Sequence, residues 1–321
     1  MYYLFVFLLL LAAELVYFRV ADEFNIIDKP NERSSHSRVT IRGGGIIFVL
    51  GVMLYSLSNH FEYLWFVTGL MGIAGISFLD DIKGVTPVVR LFFHFIALWL
   101  LFYQWGVYGW PWWGLIMLWV LCGGIINVYN FMDGINGLTG GYSFVVVGCL
   151  AYVNRCITLF AEPELIGVVL VSLLVFNWFN FRLKACCFAG DTGAVGMAFI
   201  ILFLLGKLIL KTGEWEYLIV LGVYGTDSVL TIIHRLILRE NISLPHRKHL
   251  YQLMANELKI PHIIVALAYM ILQTLIFTGY ILCQAYRLEY FVGILLVLCG
   301  GYVWFMRKYF HLHTLKRSPR K

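Results

Sequence analysis

The sequence predicts an all-α, polytopic integral membrane protein. Of its 321 residues 61% are hydrophobic and only 13% are charged, and the mean hydropathy is +0.82. A soluble domain carries about 25% charged and about 45–50% apolar residues. One water-soluble core cannot hide that surplus, so the bilayer must solvate most of the surface. Helices satisfy their own backbone there.

Apolar runs place eleven spans near 2–20, 43–59, 62–79, 88–104, 111–127, 140–156, 163–180, 193–211, 216–234, 262–284 and 288–306. Each approaches the roughly 20 residues that cross a hydrocarbon core. The first run, MYYLFVFLLLLAAELVYFRV, lacks a basic start and an A-x-A-like cleavage site, so it reads as an anchored span and not a signal peptide. Seven scattered cysteines, with Cys186 and Cys187 adjacent, suit neither a disulfide framework nor a zinc site.

Basic residues set the expected orientation. With the amino terminus outside and the carboxy terminus cytoplasmic, all of the 24 Lys and Arg except Arg155, Lys207, Lys211 and Arg287 fall inside. The basic tail 307–321 then faces anionic lipid. The net charge of +6 is thus membrane topology and not a nucleic-acid surface. On the same model every polar, motif-like segment lies on the cytoplasmic side: 28–45, 80–84, 127–141, 189–194 and 234–252. A site fed by a soluble cytoplasmic substrate explains that one-sidedness.

Asp80 and Asp81 end a span together, and adjacent carboxylates repel unless a cation is close or one is protonated. Hard oxygen donors suit Mg²⁺, which bridges carboxylates to phosphates; a solvated helix end is the plain alternative. Asn127, Asn130, Asp133 and Asn136 recur every three residues, roughly on one face of a helix or 3₁₀ turn, and Gly134, Gly137, Gly140 and Gly141 allow close approach to a bulky ligand; a glycine-rich helix boundary is the plain alternative. Asp191, in Gly190-Asp191-Thr192-Gly193, sits in a tight turn before a span, where it either caps the helix or meets a ligand. Asp227 lies inside an apolar run, which is costly unless it is paired or lines the site. His246-Arg247-Lys248-His249, preceded by Arg239, forms an anion-binding patch. Lys29, Arg33, His36, Arg38 and Arg42 lead into Gly43-Gly44-Gly45, whose amides could be bared to phosphate. Clustered acids, clustered cations and glycines together fit phosphoryl transfer, where catalysis is mostly positioning and charge neutralisation.

In this order the motifs resemble the polyprenyl-phosphate N-acetylhexosamine-1-phosphate transferases, over about residues 28–252. DDIKG looks like the paired-Asp motif, NVYNFMDGINGL like N-x-x-N-x-x-D-G, AGDTGA like G-D-x-G, and PHRKHLYQ like the histidine-rich loop. The resemblance implies one transmembrane catalytic domain over 1–321 in the bacterial inner membrane, with its site on the cytoplasmic face. It implies transfer of a sugar phosphate from a UDP-N-acetylhexosamine to undecaprenyl phosphate, releasing UMP, with Mg²⁺ or Mn²⁺. Asp80, Asp81, Asp191, His246 and His249 would be catalytic, with Asp191, Asp80 and Asp81 holding the metal. Asn127, Asn130, Asp133, Asp227 and Arg247 would bind substrate, and Lys29, Arg42 and Asn180 complete that set. Asn136 replaces an Asp common in relatives, so that acid's nucleotide contact does not transfer. The loop HRKH and the early RSSHSRVTIRGGG look more like the O-antigen and capsule-initiating branch, whose sugars include GlcNAc and 6-deoxy-N-acetylhexosamines. Membrane lipids are the expected surroundings, and a homodimer is compatible with the sequence.

The alternative is a polytopic secondary transporter or flippase of a phosphorylated or lipid-linked substrate. Its site belongs near the midplane between inverted repeats, yet these motifs crowd one face and no repeat is apparent. An intramembrane aspartyl protease would leave the basic loop idle. Metal-dependent UMP release separates these classes.

Overall fold

A computed structural model describes residues 1–28, 30, 39–242, 244 and 246–315. Its elements in chain order are α1 (Tyr2–Glu23), β1 (Ile27–Asp28), β2 (Thr40–Ile41), α2 (Ile46–Ser58), α3 (Leu64–Lys83), α4 (Pro87–Trp105), α5 (Trp112–Met132) and α6 (Leu138–Cys156). They continue as α7 (Pro163–Asn180), α8 (Gly190–Thr212), α9 (Gly222–Ile237), α10 (Leu250–Gln252), α11 (His262–Leu282) and α12 (Arg287–Leu315). A helix falls on each of the eleven expected apolar runs.

Among the described residues nine helical segments are long and apolar enough to cross a membrane. The protein is therefore a multi-pass, all-α membrane protein. Two of the eleven runs fall outside that set: α6, and α2, whose 13 residues span about 20 Å of the about 30 Å hydrocarbon layer. Pro87 and Pro163 open α4 and α7 at the first helical position, where the missing N–H has no intrahelical partner to lose. β1 and β2 pair antiparallel, Ile27 with Ile41 and Asp28 with Thr40, and this small hairpin leads into Arg42.

α8 is apolar on all sides, and an all-round apolar helix is a buried one. Residues Gly193–Leu205 are all buried, enclosed by α2, α3, α4, α5 and α6. α1, α4 and α12 are peripheral and turn large apolar side chains outward, among them Phe5, Phe92, Trp99, Leu296 and Trp304. With water as solvent such exposure would be a liability; in lipid it is the ordinary outer surface.

Successive helices reverse direction, which gathers the ends of α3, α5, α7 and α9 with the starts of α4, α6, α8 and α11. Side-chain contacts confirm the gathering: Asp81 on α3 meets Thr192 on α8, and Thr139 on α6 meets Asp133 after α5. At the opposite end Trp105, Trp110 and Trp215 line one cavity where α4, α5 and α8 turn, and Trp112 and Trp113 open α5, as interfacial aromatics do.

Candidate active site

The gathered end is organised by three carboxylates and two guanidinium groups. Asp81, in the last turn of α3, has a fully buried side chain. Its Oδ1 accepts the Asp191 N–H at 3.0 Å, and its Oδ2 accepts the Thr192 N–H at 3.0 Å and the Thr192 hydroxyl at 2.7 Å. Asp81 thus caps α8 from another helix. Free N–H groups and the positive end of the helix dipole reward a carboxylate there. Gly190 makes the approach possible: its φ is +68°, and a Cβ would lie 2.6 Å from Asp81 Oδ2.

Arg42 fixes the same carboxylate from the other side, with Nε 2.6 Å from Asp81 Oδ1, and extends Nη2 to within 3.2 Å of Asp191 Oδ1. Burial alone would lower the Arg42 pKa, but Asp81 and Asp191 hold it above its ordinary value. Arg90, in the first turn of α4, reaches Asp80 Oδ2 at 2.7 Å and Asp191 Oδ2 at 3.2 Å. Asp80 Oδ1 also accepts the Val85 N–H at 2.5 Å. Asp191 is therefore held between two arginines.

These positions revise several sequence expectations. Asp191 is neither a turn residue nor the cap of its helix; it is the second residue of α8, and Asp81 performs the capping. Gly44 and Gly45 do not bare their amides, because these donate to Phe188 O at 2.9 Å and Ala189 O at 3.2 Å. Arg90 was read only as topology; its proximity to Asp80 across the short 84–86 turn was the available signal. Lys29, Arg33, His36 and Arg38 lie outside the described residues.

The three-residue polar repeat does not stay on one helical face, because α5 ends at Met132. Asn127 is exposed and Asn130 half-buried on α5. Asp133 follows the helix end, with Oδ1 accepting the Thr139 hydroxyl at 2.8 Å. Enclosure raises the Asp133 carboxyl to about 7, aided by the charges of Asp191 and Asp81 and opposed by the Thr139 hydrogen bond and Arg42. Asn136 turns away and donates to Arg182 O at 3.1 Å. Asn180 is buried; its Oδ1 accepts the Gly137 N–H and its Nδ2 donates to Cys187 O, both at 2.8 Å. Expected to bind substrate, Asn180 instead clasps two loops that frame the site.

Asp227 takes the paired option of the two that its apolar setting allowed. It is 3% exposed and accepts from Leu250 N–H at 2.9 Å, Tyr269 hydroxyl at 2.8 Å and Thr231 hydroxyl at 3.2 Å, with His249 Nδ1 at 3.4 Å. It anchors the basic loop to the bundle, and His249 is buried as part of that anchor. Lys248 is also buried and pairs with Glu240, while Arg235 donates to the carbonyls of Asn241, Ile242 and Leu244. Tyr251 then donates to Phe131 O at 2.9 Å, pressing the loop onto the end of α5. A Cβ on Gly134 would collide with the Tyr251 hydroxyl, which explains the glycine after Asp133.

His246 does not carry the positive charge expected of it. Burial, with His249, Arg235 and Lys248 nearby, lowers its pKa to about 3, so the ring is neutral at pH 7. Arg247, on the same loop, is half-buried.

Among the described residues no three His, Cys, Asp or Glu side chains form a metal-holding group. Asp81 is the least suited of the expected ligands, since four donors already occupy its oxygens. Asp80 and Asp191 do fit a hard divalent cation: both reach the same guanidinium of Arg90, and both keep partial exposure, at 11% and 15%. Mg²⁺ needs only one or two carboxylates when substrate phosphates and water supply the rest.

The model of glycosyl transferase family 4 matches residues 63–208, which hold Asp80, Asp81, Asp133 and Asp191 but neither Arg42 nor the basic loop. The chain is 27% identical over 256 residues to a probable undecaprenyl-phosphate N-acetylglucosaminyl 1-phosphate transferase of Bacillus subtilis, covering 73% of this chain and 70% of the relative. It is 28% identical over 213 residues to a phospho-N-acetylmuramoyl-pentapeptide-transferase of Dictyoglomus thermophilum, covering 59% and 65%. It is 26% identical over 226 residues to an undecaprenyl-phosphate alpha-N-acetylglucosaminyl 1-phosphate transferase of Yersinia pestis, covering 63% and 60%. The chain thus spans slightly less than two thirds of two of these relatives. With the ordered motifs now brought to one end of the bundle, the chain is similar to glycosyl transferase family 4 over residues 63–208 and to relatives named as undecaprenyl-phosphate sugar-1-phosphate transferases.

Proposed function

We propose that the protein transfers N-acetylhexosamine-1-phosphate from a UDP-sugar to undecaprenyl phosphate, giving a lipid-diphosphate-sugar and UMP. The observation that carries this reading is Asp191 held between Arg42 and Arg90 beside Asp80, at the one end of the bundle where the motifs converge. The family and the named activities of the relatives support it. The charge distribution supports a cytoplasmic-face site in a bacterial inner membrane, and the envelope polysaccharides that begin with a GlcNAc or 6-deoxy-N-acetylhexosamine are the fitting downstream products.

In the reaction an oxygen of the lipid phosphate bonds to the β-phosphorus of the donor. The bond from that phosphorus to the bridging oxygen breaks, and its electron pair leaves with UMP. A phosphate monoester is already largely ionised near pH 7, so the nucleophile needs little deprotonation. The difficulty is bringing two anions together, which the preorganised cations reduce. Arg42, Arg90 and Arg247 supply that charge, and Asp81 fixes Arg42 and the start of α8. Asp191 and Asp80 would hold Mg²⁺, which would neutralise diphosphate charge when bound. Asn127 and Asn130 make no side-chain hydrogen bond among the described residues, so their amides are available to a donor.

The test uses purified protein in detergent with undecaprenyl phosphate, Mg²⁺ and a panel of UDP-N-acetylhexosamines. UMP release with a matching lipid product, abolished by EDTA, would establish the reaction and name the sugar. Folded protein that makes no product from any donor would overturn it.

A further inference from the structure

We infer that His94 is a further substrate-binding residue, donating a hydrogen bond to the phosphate of the lipid acceptor. The inference rests on the sugar-phosphate transfer proposed above. The inward face of α4 runs through Leu101, Leu98 and Ala97, all buried. Toward the gathered end the same face continues at four-residue steps from Leu98 to His94 and then to Arg90. An apolar packing stripe thus becomes polar one turn before the carboxylate cluster begins.

Packing does not explain the imidazole. His94 is half-buried, and its Nε2 is enclosed without a hydrogen-bond partner. A buried polar atom left unpaired costs free energy, and such atoms in native proteins call for a partner absent from the structure. Arg90, one turn away, already bonds Asp80 and Asp191. The missing partner of His94 is therefore an acceptor that arrives with substrate.

Depth decides which substrate. Four helical residues advance about 6 Å, so His94 lies about 6 Å further into the bundle than Arg90, on the membrane side of the cluster. Its flanking residues Leu91, Phe92, Phe95 and Ile96 are exposed on the outer face of α4. A soluble nucleotide sugar reaches the cluster from the water side, beside Arg42 and Arg247. A phosphate carried on a lipid approaches along the membrane interface with its tail in the apolar layer, on the side of the cluster where His94 lies.

The test compares wild type, His94→Leu and His94→Gln in two assays. One is direct binding of undecaprenyl phosphate in detergent, by native mass spectrometry. The other is UMP release with both substrates titrated. His94→Leu should weaken lipid binding and raise the acceptor KM about tenfold, the loss of one hydrogen bond to a charged group. The donor KM should stay within about twofold. His94→Gln, which keeps an N–H donor, should restore most of the loss. Unchanged lipid binding in His94→Leu would overturn the inference, as would equal rises in both KM values without rescue by Gln. Lipid binding that depends on His94 without UMP release from wild type would retire the transfer reading and leave the phosphate contact standing.

Discussion

The carboxylate of Asp81, at the end of α3, accepts both the amide and the hydroxyl of Thr192, at the start of α8. This link ties the outer pair α3–α4 to the central helix and sets where Asp191 stands. Asp81→Asn removes charge from a cap and from a buried pair with Arg42. It should destabilise the fold by about 3 kcal/mol. Thr192→Val keeps the amide bond and should cost about 1 kcal/mol. Thermal unfolding in detergent measures both, and an unchanged midpoint for Asp81→Asn would refute the cap.

Asp191→Asn keeps the size of the side chain but removes the charge that pairs with both arginines and that the proposed divalent cation would need. UMP release should fall about a hundredfold or more, with the unfolding midpoint nearly unchanged. Full turnover in this variant would remove Asp191 from the site.

Asp133 gives a pH dependence with a definite sign. Its folded pKa is raised to about 7, above an ordinary Asp value of about 4. Its contribution to stability is therefore fully present below about pH 4 and is lost as pH rises toward 7. Asp133→Asn should flatten the decline in thermal midpoint across that window. Parallel curves for wild type and variant would show that Asp133 is not the group responsible.

Gly134 and Tyr251 should be coupled. Gly134→Ala places a methyl group against the Tyr251 hydroxyl and should cost about 1–3 kcal/mol through overpacking. Tyr251→Phe gives up the bond to Phe131 O but removes the oxygen that obstructs the methyl. The double variant should therefore be more stable than the sum of the single effects allows. Strict additivity would refute the contact.

Periodicity and hydropathy located eleven helical segments because a lipid-solvated helix carries its signal in a contiguous run. Site chemistry was legible only as a set of residue types. The run Asn127, Asn130, Asp133 and Asn136 has uniform spacing, yet the helix stops at Met132 and Asn136 turns to bond Arg182 O. The spacing runs through that break, and only the glycines after Asp133 pointed to a helix boundary there. His246 and His249 looked alike in sequence, but one ring is held neutral by burial among cations and the other is packed on Asp227.

The sequence by itself determined that the chain is a helical membrane protein with acids, cations and glycines gathered at one end of its spans. Composition and run length decide that, since they fix which surface water can solvate. The tertiary structure alone decided the division of labour: Asp81 caps α8, Asp227 and Asn180 hold loops, and Arg90 joins Asp80 to Asp191. The physical reason is that a carboxylate or amide takes its role from the donors and charges around it, and those come from helices far apart in sequence.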